Sequence, residues 1–109
     1  MLVSGYRCMW VVAMFDLPVD TKKARRAYAN FVKHLRRDGF ARLQYSVYGR
    51  HSASKENAEV HIKRIEQNLP PDGEVRILTV TDKQFERMLV FWGKNRGSPE
   101  KPLCQLQLF

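Results

Sequence analysis

The sequence predicts an α+β fold, a sheet with helices on one face, and three features carry that expectation. A continuous apolar run at residues 8–15 is followed by a long stretch of helical periodicity. A second extended-then-helical pair occupies the middle of the chain, and short apolar runs return after a Pro-Pro-Asp-Gly break at 70–73. With 109 residues, 44% of them hydrophobic, the chain has room for one domain that buries about two-thirds of its unfolded surface. No apolar run approaches the roughly 20 residues of a membrane-spanning helix. The N-terminus shows no secretory pattern, so a cytoplasmic protein is expected, with Cys8 and Cys104 reduced and strand-borne.

The elements follow in order. Residues 8–15 (Cys-Met-Trp-Val-Val-Ala-Met-Phe) suit a strand buried on both faces. Asp16-Leu17-Pro18 closes it, because proline has no N–H to pair. Asp20 or Thr21 caps a helix that runs to about Asp38, with Gly39 as its stop. Its apolar face is Ala24, Ala27, Tyr28, Phe31 and Leu35. Residues 40–50 predict a second extended segment, bent or split into a hairpin. Ser52 or Ser54 caps a second helix through Ala58, Ile62, Ile65 and Leu69, ended by the prolines. Residues 75–81 predict a strand, 82–86 a turn and 88–92 another strand. A polar linker at 93–102 precedes the alternating run Cys104-Gln105-Leu106-Gln107-Leu108. Splitting the middle segment gives βαββαβ, the ferredoxin-like order, with an additional C-terminal strand. The expected division is a domain over 1–93 and a linker with docking strand over 94–109.

Charge is distributed unevenly. Nineteen Lys and Arg against eleven Asp and Glu give +8, and residues 1–55 carry the whole excess. On the first helix, Lys22, Arg26, Lys33, Arg36 and Arg37 fall opposite the apolar face, with no acid between Thr21 and Arg37. An ordinary solvated face mixes signs for i,i+4 pairing. A stripe of one sign predicts a polyanionic partner, nucleic acid first among them.

Asp16 is the first candidate for chemistry. A carboxylate directly after a buried strand suits a hard divalent cation, which prefers oxygen ligands. It equally suits a turn in which it bonds the following backbone. A metal nuclease needs more than one acidic ligand, and the adjacent Asp20 is better explained as a cap. A two-fold dimer would supply the second carboxylate as a second Asp16. The histidines, His34, His51 and His61, share no ligand spacing and are expected at the surface. Ser46 has no base that can be placed beside it, and no phosphate-binding glycine loop is present. Phe40, Tyr45 and Tyr48 interleave with Arg42 and Arg50, a pattern that fits either base stacking or an ordinary strand core.

The run Val11-Val12-Ala13-Met14-Phe15-Asp16-Leu17-Pro18, the helix with Arg25-Arg26-Ala27-Tyr28, Gly39-Phe40 and Leu43-Gln44-Tyr45-Ser46-Val47-Tyr48 together resemble the small CRISPR-associated Cas2 proteins. The likeness resumes at Val75-Arg76-Ile77-Leu78-Thr79-Val80-Thr81-Asp82-Lys83-Gln84-Phe85, a stretch similar to the branch that accompanies single-protein-effector (type II) systems. The resemblance implies a ferredoxin-like homodimer that joins the CRISPR integrase in capturing foreign DNA as spacers. It also implies endonuclease activity on RNA or double-stranded DNA, dependent on Mg2+ or Mn2+, with Asp16 as catalytic and metal-binding residue. Phe15 stands where the family often has tyrosine, which removes a hydroxyl. Arg25 and Arg26 correspond to the family's first-helix arginines, and Phe15, Ser46 and Tyr48 become candidate substrate contacts. With Lys22, Lys33, Arg36, Arg37, Arg42 and Arg50 they complete the expected nucleic-acid-binding set. The alternative implied by the same resemblance is a non-catalytic DNA-binding scaffold bridging integrase subunits, with Leu106 and Leu108 supporting assembly.

Overall fold

The apolar run near the start of the chain becomes the central strand of a four-stranded sheet, which is why it is apolar on both faces. The computed structural model describes residues 8–95. The order is β1 (Met9–Asp16), α1 (Lys22–Arg37), β2 (Ala41–Gln44), β3 (Val47–Ser52), α2 (Lys55–Gln67), β4 (Glu74–Thr81) and α3 (Asp82–Glu86). The strands lie in the order β2-β3-β1-β4, antiparallel throughout. This is the ferredoxin-like arrangement expected from the sequence, with the middle segment split into β2 and β3. Among the described residues no helix is long and apolar enough to cross a membrane.

Local chemistry sets the helix ends. The Thr21 hydroxyl accepts from the Ala24 N–H at 3.0 Å and starts α1. Ser54 does the same for α2 through the Asn57 N–H. Gly39, at φ +89°, turns the chain out of α1. Phe31 and Leu35 of α1 and Ala58 and Ile65 of α2 close over Val11, Ala13 and Phe15 of β1, so the core lies between the helices and one sheet face. Strand alternation then sends Trp10, Val12, Met14 and Asp16 to the helix-free face.

Two elements differ from the sequence expectation. Residues 82–86 form a helix, not a turn, because Thr81 and Gln84 make a reciprocal capping box. The Thr81 hydroxyl accepts from the Gln84 N–H at 3.1 Å and the Gln84 amide oxygen accepts from the Thr81 N–H at 2.8 Å. Phe85 then stacks on Trp10 at 3.9 Å, anchoring the short α3 to one end of the face that α1 and α2 leave open. Residues 88–92 join no ladder among the described residues. An extended run becomes a strand only where a neighbour takes its backbone bonds, and Leu89 at 78% and Phe91 at 83% exposure face solvent while Met88, Val90 and Trp92 are about half exposed. The alternating run at 104–108, with Cys104, and most of the 94–109 segment lie outside the described residues.

His61 is the third correction. Expected at the surface, it is 4% exposed. Its place three residues after Ala58 and four before Ile65 puts it on the buried face of α2. Its Nδ1 meets Asp38 Oδ2 at 2.8 Å, and Arg64 Nη1 donates to Asp38 Oδ1 at 2.7 Å. An acid at a helix C-terminus opposes the macrodipole, and here two groups of α2 compensate it. Burial alone would raise the Asp38 carboxyl, but the hydrogen bonds from His61 and Arg64 outweigh it and hold the acid below its ordinary range. The folded state therefore binds this proton less readily than the unfolded chain. The stabilisation is complete above about pH 4, the ordinary carboxylate value, and is lost as pH falls through the depressed native value. Asp38→Ala is expected to cost about 2 kcal/mol at neutral pH. Urea unfolding from pH 7 down to pH 2 should show the gap to wild type closing in acid.

Candidate functional site

Asp16 ends β1 with its side chain exposed. Its cross-strand neighbour on β4 is Glu74, so the same face carries a second carboxylate that lies 58 positions away in the sequence. Like charges opposite one another repel. Arg76 relieves this by donating to Glu74 from Nε at 3.1 Å and Nη2 at 3.4 Å. Both groups offer oxygen donors only, the chemistry a hard divalent cation requires. Among the described residues, no group of three metal-ligating side chains includes Asp16.

Gly73 fixes where Asp16 sits. It adopts φ +98°, and a Cβ there would lie 2.6 Å from Leu17 Cδ2 and 2.7 Å from the Asp16 carbonyl oxygen. Gly73→Ala is therefore expected to destabilise the fold by about 2 kcal/mol through left-handed backbone strain and to displace the Asp16 turn. Denaturant titration reads the first effect, and the backbone amide shifts of residues 15–18 read the second.

The β2–β3 turn packs beside this strand end. Ser46 is in the left-handed region at φ +62°, a conformation rare for a residue with a Cβ. Its carbonyl accepts from the Phe15 N–H at 3.0 Å, and its hydroxyl shares a 2.8 Å hydrogen bond with the Tyr28 hydroxyl. Burial pushes the Tyr28 phenol above its ordinary value, despite the opposing Ser46 bond. Tyr28 stacks on Tyr45 at 6.1 Å, and the Arg42 guanidinium lies 5.9 Å from the Tyr45 ring. Tyr45 is 68% exposed. An open aromatic face next to a cation is a surface on which a base can stack.

The sequence-derived residues divide into two groups. Lys22, Arg26, Lys33, Arg36 and Arg37 stand exposed on α1, a stripe about 22 Å long at 1.5 Å per residue. Arg42 is exposed on β2. The others are engaged within the fold. Arg25 donates to the Val19 carbonyl at 3.0 Å and braces the approach to α1. Arg50 donates to the Asp38 carbonyl at 2.9 Å, and its guanidinium fills the space a Cβ at Gly39 would occupy. Phe15, at 7% exposure, packs edge-on against Phe31, and the buried Tyr48 stacks on Phe15. Both rings hold up the site from below instead of facing solvent. Glu74 and Tyr28 were absent from the sequence-derived site, and for Tyr45 the sequence left base stacking and strand core as alternatives. Only the strand register brings Glu74 across from Asp16, and only the Ser46 turn aligns the two tyrosines.

The family model described as "CRISPR associated protein Cas2" matches residues 9–88, the whole interval from the first residue of β1 to just beyond α3. The chain belongs to the CRISPR-associated protein Cas2 family. A Cas2 protein of Parvibaculum lavamentivorans, named a CRISPR-associated endoribonuclease, is 60% identical over 101 residues, covering 93% of this chain and 100% of its own. One of Flavobacterium psychrophilum with the same name is 47% identical over 107 residues, covering 98% of this chain and 93% of its own. A solved structure described as "Crystal structure of cas2" aligns with a TM-score of 0.49 at 20% identity, over 84% of this chain and 95% of that one.

Proposed function

We propose that this Cas2-family chain is a metal-dependent endonuclease subunit of CRISPR adaptation that works as a homodimer on RNA or double-stranded DNA. The observation that carries the reading is the exposed Asp16 carboxylate at the end of β1, opposite Glu74 and beside the Ser46 turn. The endoribonuclease names of the Parvibaculum and Flavobacterium relatives support it. A Mg2+ or Mn2+ ion held by Asp16 would polarise the phosphate and activate a water. The chain's own groups do the rest. Tyr45 and Arg42 hold a base and its phosphate, and the α1 stripe neutralises the backbone.

A second chain completes the Asp16 site. Glu74 is already engaged by Arg76, so across the strand Asp16 meets no uncommitted carboxylate among the described residues, and a two-fold axis would bring its counterpart. The helix-free sheet face supports such a dimer. Leu78 is half exposed there beside Val12 and Met14, and residues 88–92 add a solvent-exposed apolar run. A patch of this kind marks a protein interface.

The scaffold reading, in which the dimer holds DNA for an integrase without cutting it, is favoured by one observation. The described residues assemble no three-ligand cluster at Asp16 within one chain. Incubating defined RNA and duplex DNA with the protein, with Mg2+ or with chelator, separates the two. Cation-dependent product supports the nuclease. Tight duplex binding without product under both conditions establishes the scaffold.

A further inference from the structure

At the opposite end of β1 from Asp16, about 23 Å away at 3.3 Å per residue, three side chains of different elements converge. Cys8 precedes β1, His51 lies near the end of β3 and Asp82 opens α3, and one ligand atom from each lies within 4.8 Å of the others. They are 43 and 31 residues apart in sequence, so spacing could not reveal them. The sheet register brings them together, because Met9 pairs with Ser52 on one side and Thr81 on the other.

We infer that Cys8, His51 and Asp82 form a binding site for a thiophilic divalent cation of the Zn2+ type, independent of the Asp16 chemistry. The donor set is one sulfur, one imidazole nitrogen and one carboxylate oxygen, the mixture Zn2+ takes and Mg2+ does not. Tetrahedral bonds of about 2.0–2.3 Å place ligand atoms about 3.5 Å apart. His51 Nε2 and Asp82 Oδ1 already stand at 3.4 Å. Cys8 Sγ, now directed at the Ala53 carbonyl at 3.7 Å, closes the remaining gap by side-chain rotation.

The surroundings are arranged as outer partners of a metal site usually are. The Trp10 indole N–H donates to Asp82 Oδ1 at 3.0 Å and fixes the carboxylate. The Trp10 ring meets the His51 ring edge-on at 5.5 Å. The Asp82 N–H donates to the Cys8 carbonyl at 3.1 Å, so two of the ligands are tied through the backbone. On binding, the Cys8 thiol gives its proton to the buffer as the metal–sulfur bond forms. Three protein ligands leave one position for water. A cation here clips the start of β1, the end of β3 and α3 together and holds α3 against the helix-free face.

The test uses untagged full-length chain stripped by chelator and titrated with Co2+ as a spectroscopic probe. Stoichiometric uptake with a near-ultraviolet thiolate-to-cobalt band is expected, and Zn2+ should bleach it. Zn2+ should also raise the melting temperature of the wild type by about 5 °C or more at saturation. Cys8→Ser should abolish the band while Cys104→Ser keeps it, and His51→Ala should weaken uptake at least about tenfold. Wild type that takes up Co2+ with no such band, or takes up none, overturns the inference without reference to any variant. So does a band that survives Cys8→Ser. Mg2+-dependent cleavage is a separate readout, and its absence leaves this site unaffected.

Discussion

Asp16→Asn is expected to reduce cation-dependent cleavage by at least about 100-fold, since losing even an outer partner of a metal ligand costs 10–100-fold. The substitution keeps the size and planarity of the side chain and removes only the charge that attracts the cation. Gly73 and the buried Leu17 hold the turn in place on either side, so the backbone should not move. The loss should appear in the chemical step, with duplex affinity retained, because the α1 stripe lies on another element. Raising Mg2+ should recover part of the activity if a weakened site is being refilled. Single-turnover cleavage, read with a filter-binding measurement on the same preparation, checks both halves. Equal cutting by the variant removes Asp16 from the chemistry and overturns its assignment as the catalytic, metal-binding residue.

Most of the fold was legible in the sequence because each element signals itself locally. The apolar run of β1, the Thr21 and Ser54 caps and the Pro-Pro-Asp-Gly break all act over a few residues. The Thr81-x-x-Gln84 capping box was equally local, and its spacing is the signal that marks α3. His61 was misplaced because its residue type suggested the surface, whereas its i−3 and i+4 neighbours, Ala58 and Ile65, placed it inside. Its burial became tolerable only through Asp38, which comes from another helix. The site was legible only in part for the same reason. Asp16 follows from its position after β1, but Glu74 depends on strand register and Tyr45 on the backbone angle at Ser46. The Cys8, His51 and Asp82 cluster depends on three separate elements meeting. Non-local pairings of this kind leave no periodicity behind.

Neutralising Lys22, Arg26 and Lys33 together by alanine is expected to weaken duplex binding regardless of sequence. Each lost phosphate contact should cost about tenfold in affinity, since a charge-assisted contact contributes roughly 1.5 kcal/mol. The slope of log affinity against log salt should flatten by about 0.9 for each contact, about 2.7 for the three. The three side chains are exposed and make no ion pair among the described residues, so the fold does not depend on them. Alanine is a better helix former than lysine or arginine, so α1 should be at least as stable after the change, and weaker binding cannot be assigned to unfolding. A control at Arg25 should behave differently. Its guanidinium braces the Val19 carbonyl, so Arg25→Ala should lower stability more than it changes the salt slope. If the triple variant keeps the full slope, the duplex lies across Arg42 and Tyr45 instead. The stacked Tyr28–Tyr45 pair then becomes the surface to alter next, with Tyr45→Ala expected to remove about 1–3 kcal/mol of stacking from single-stranded substrates.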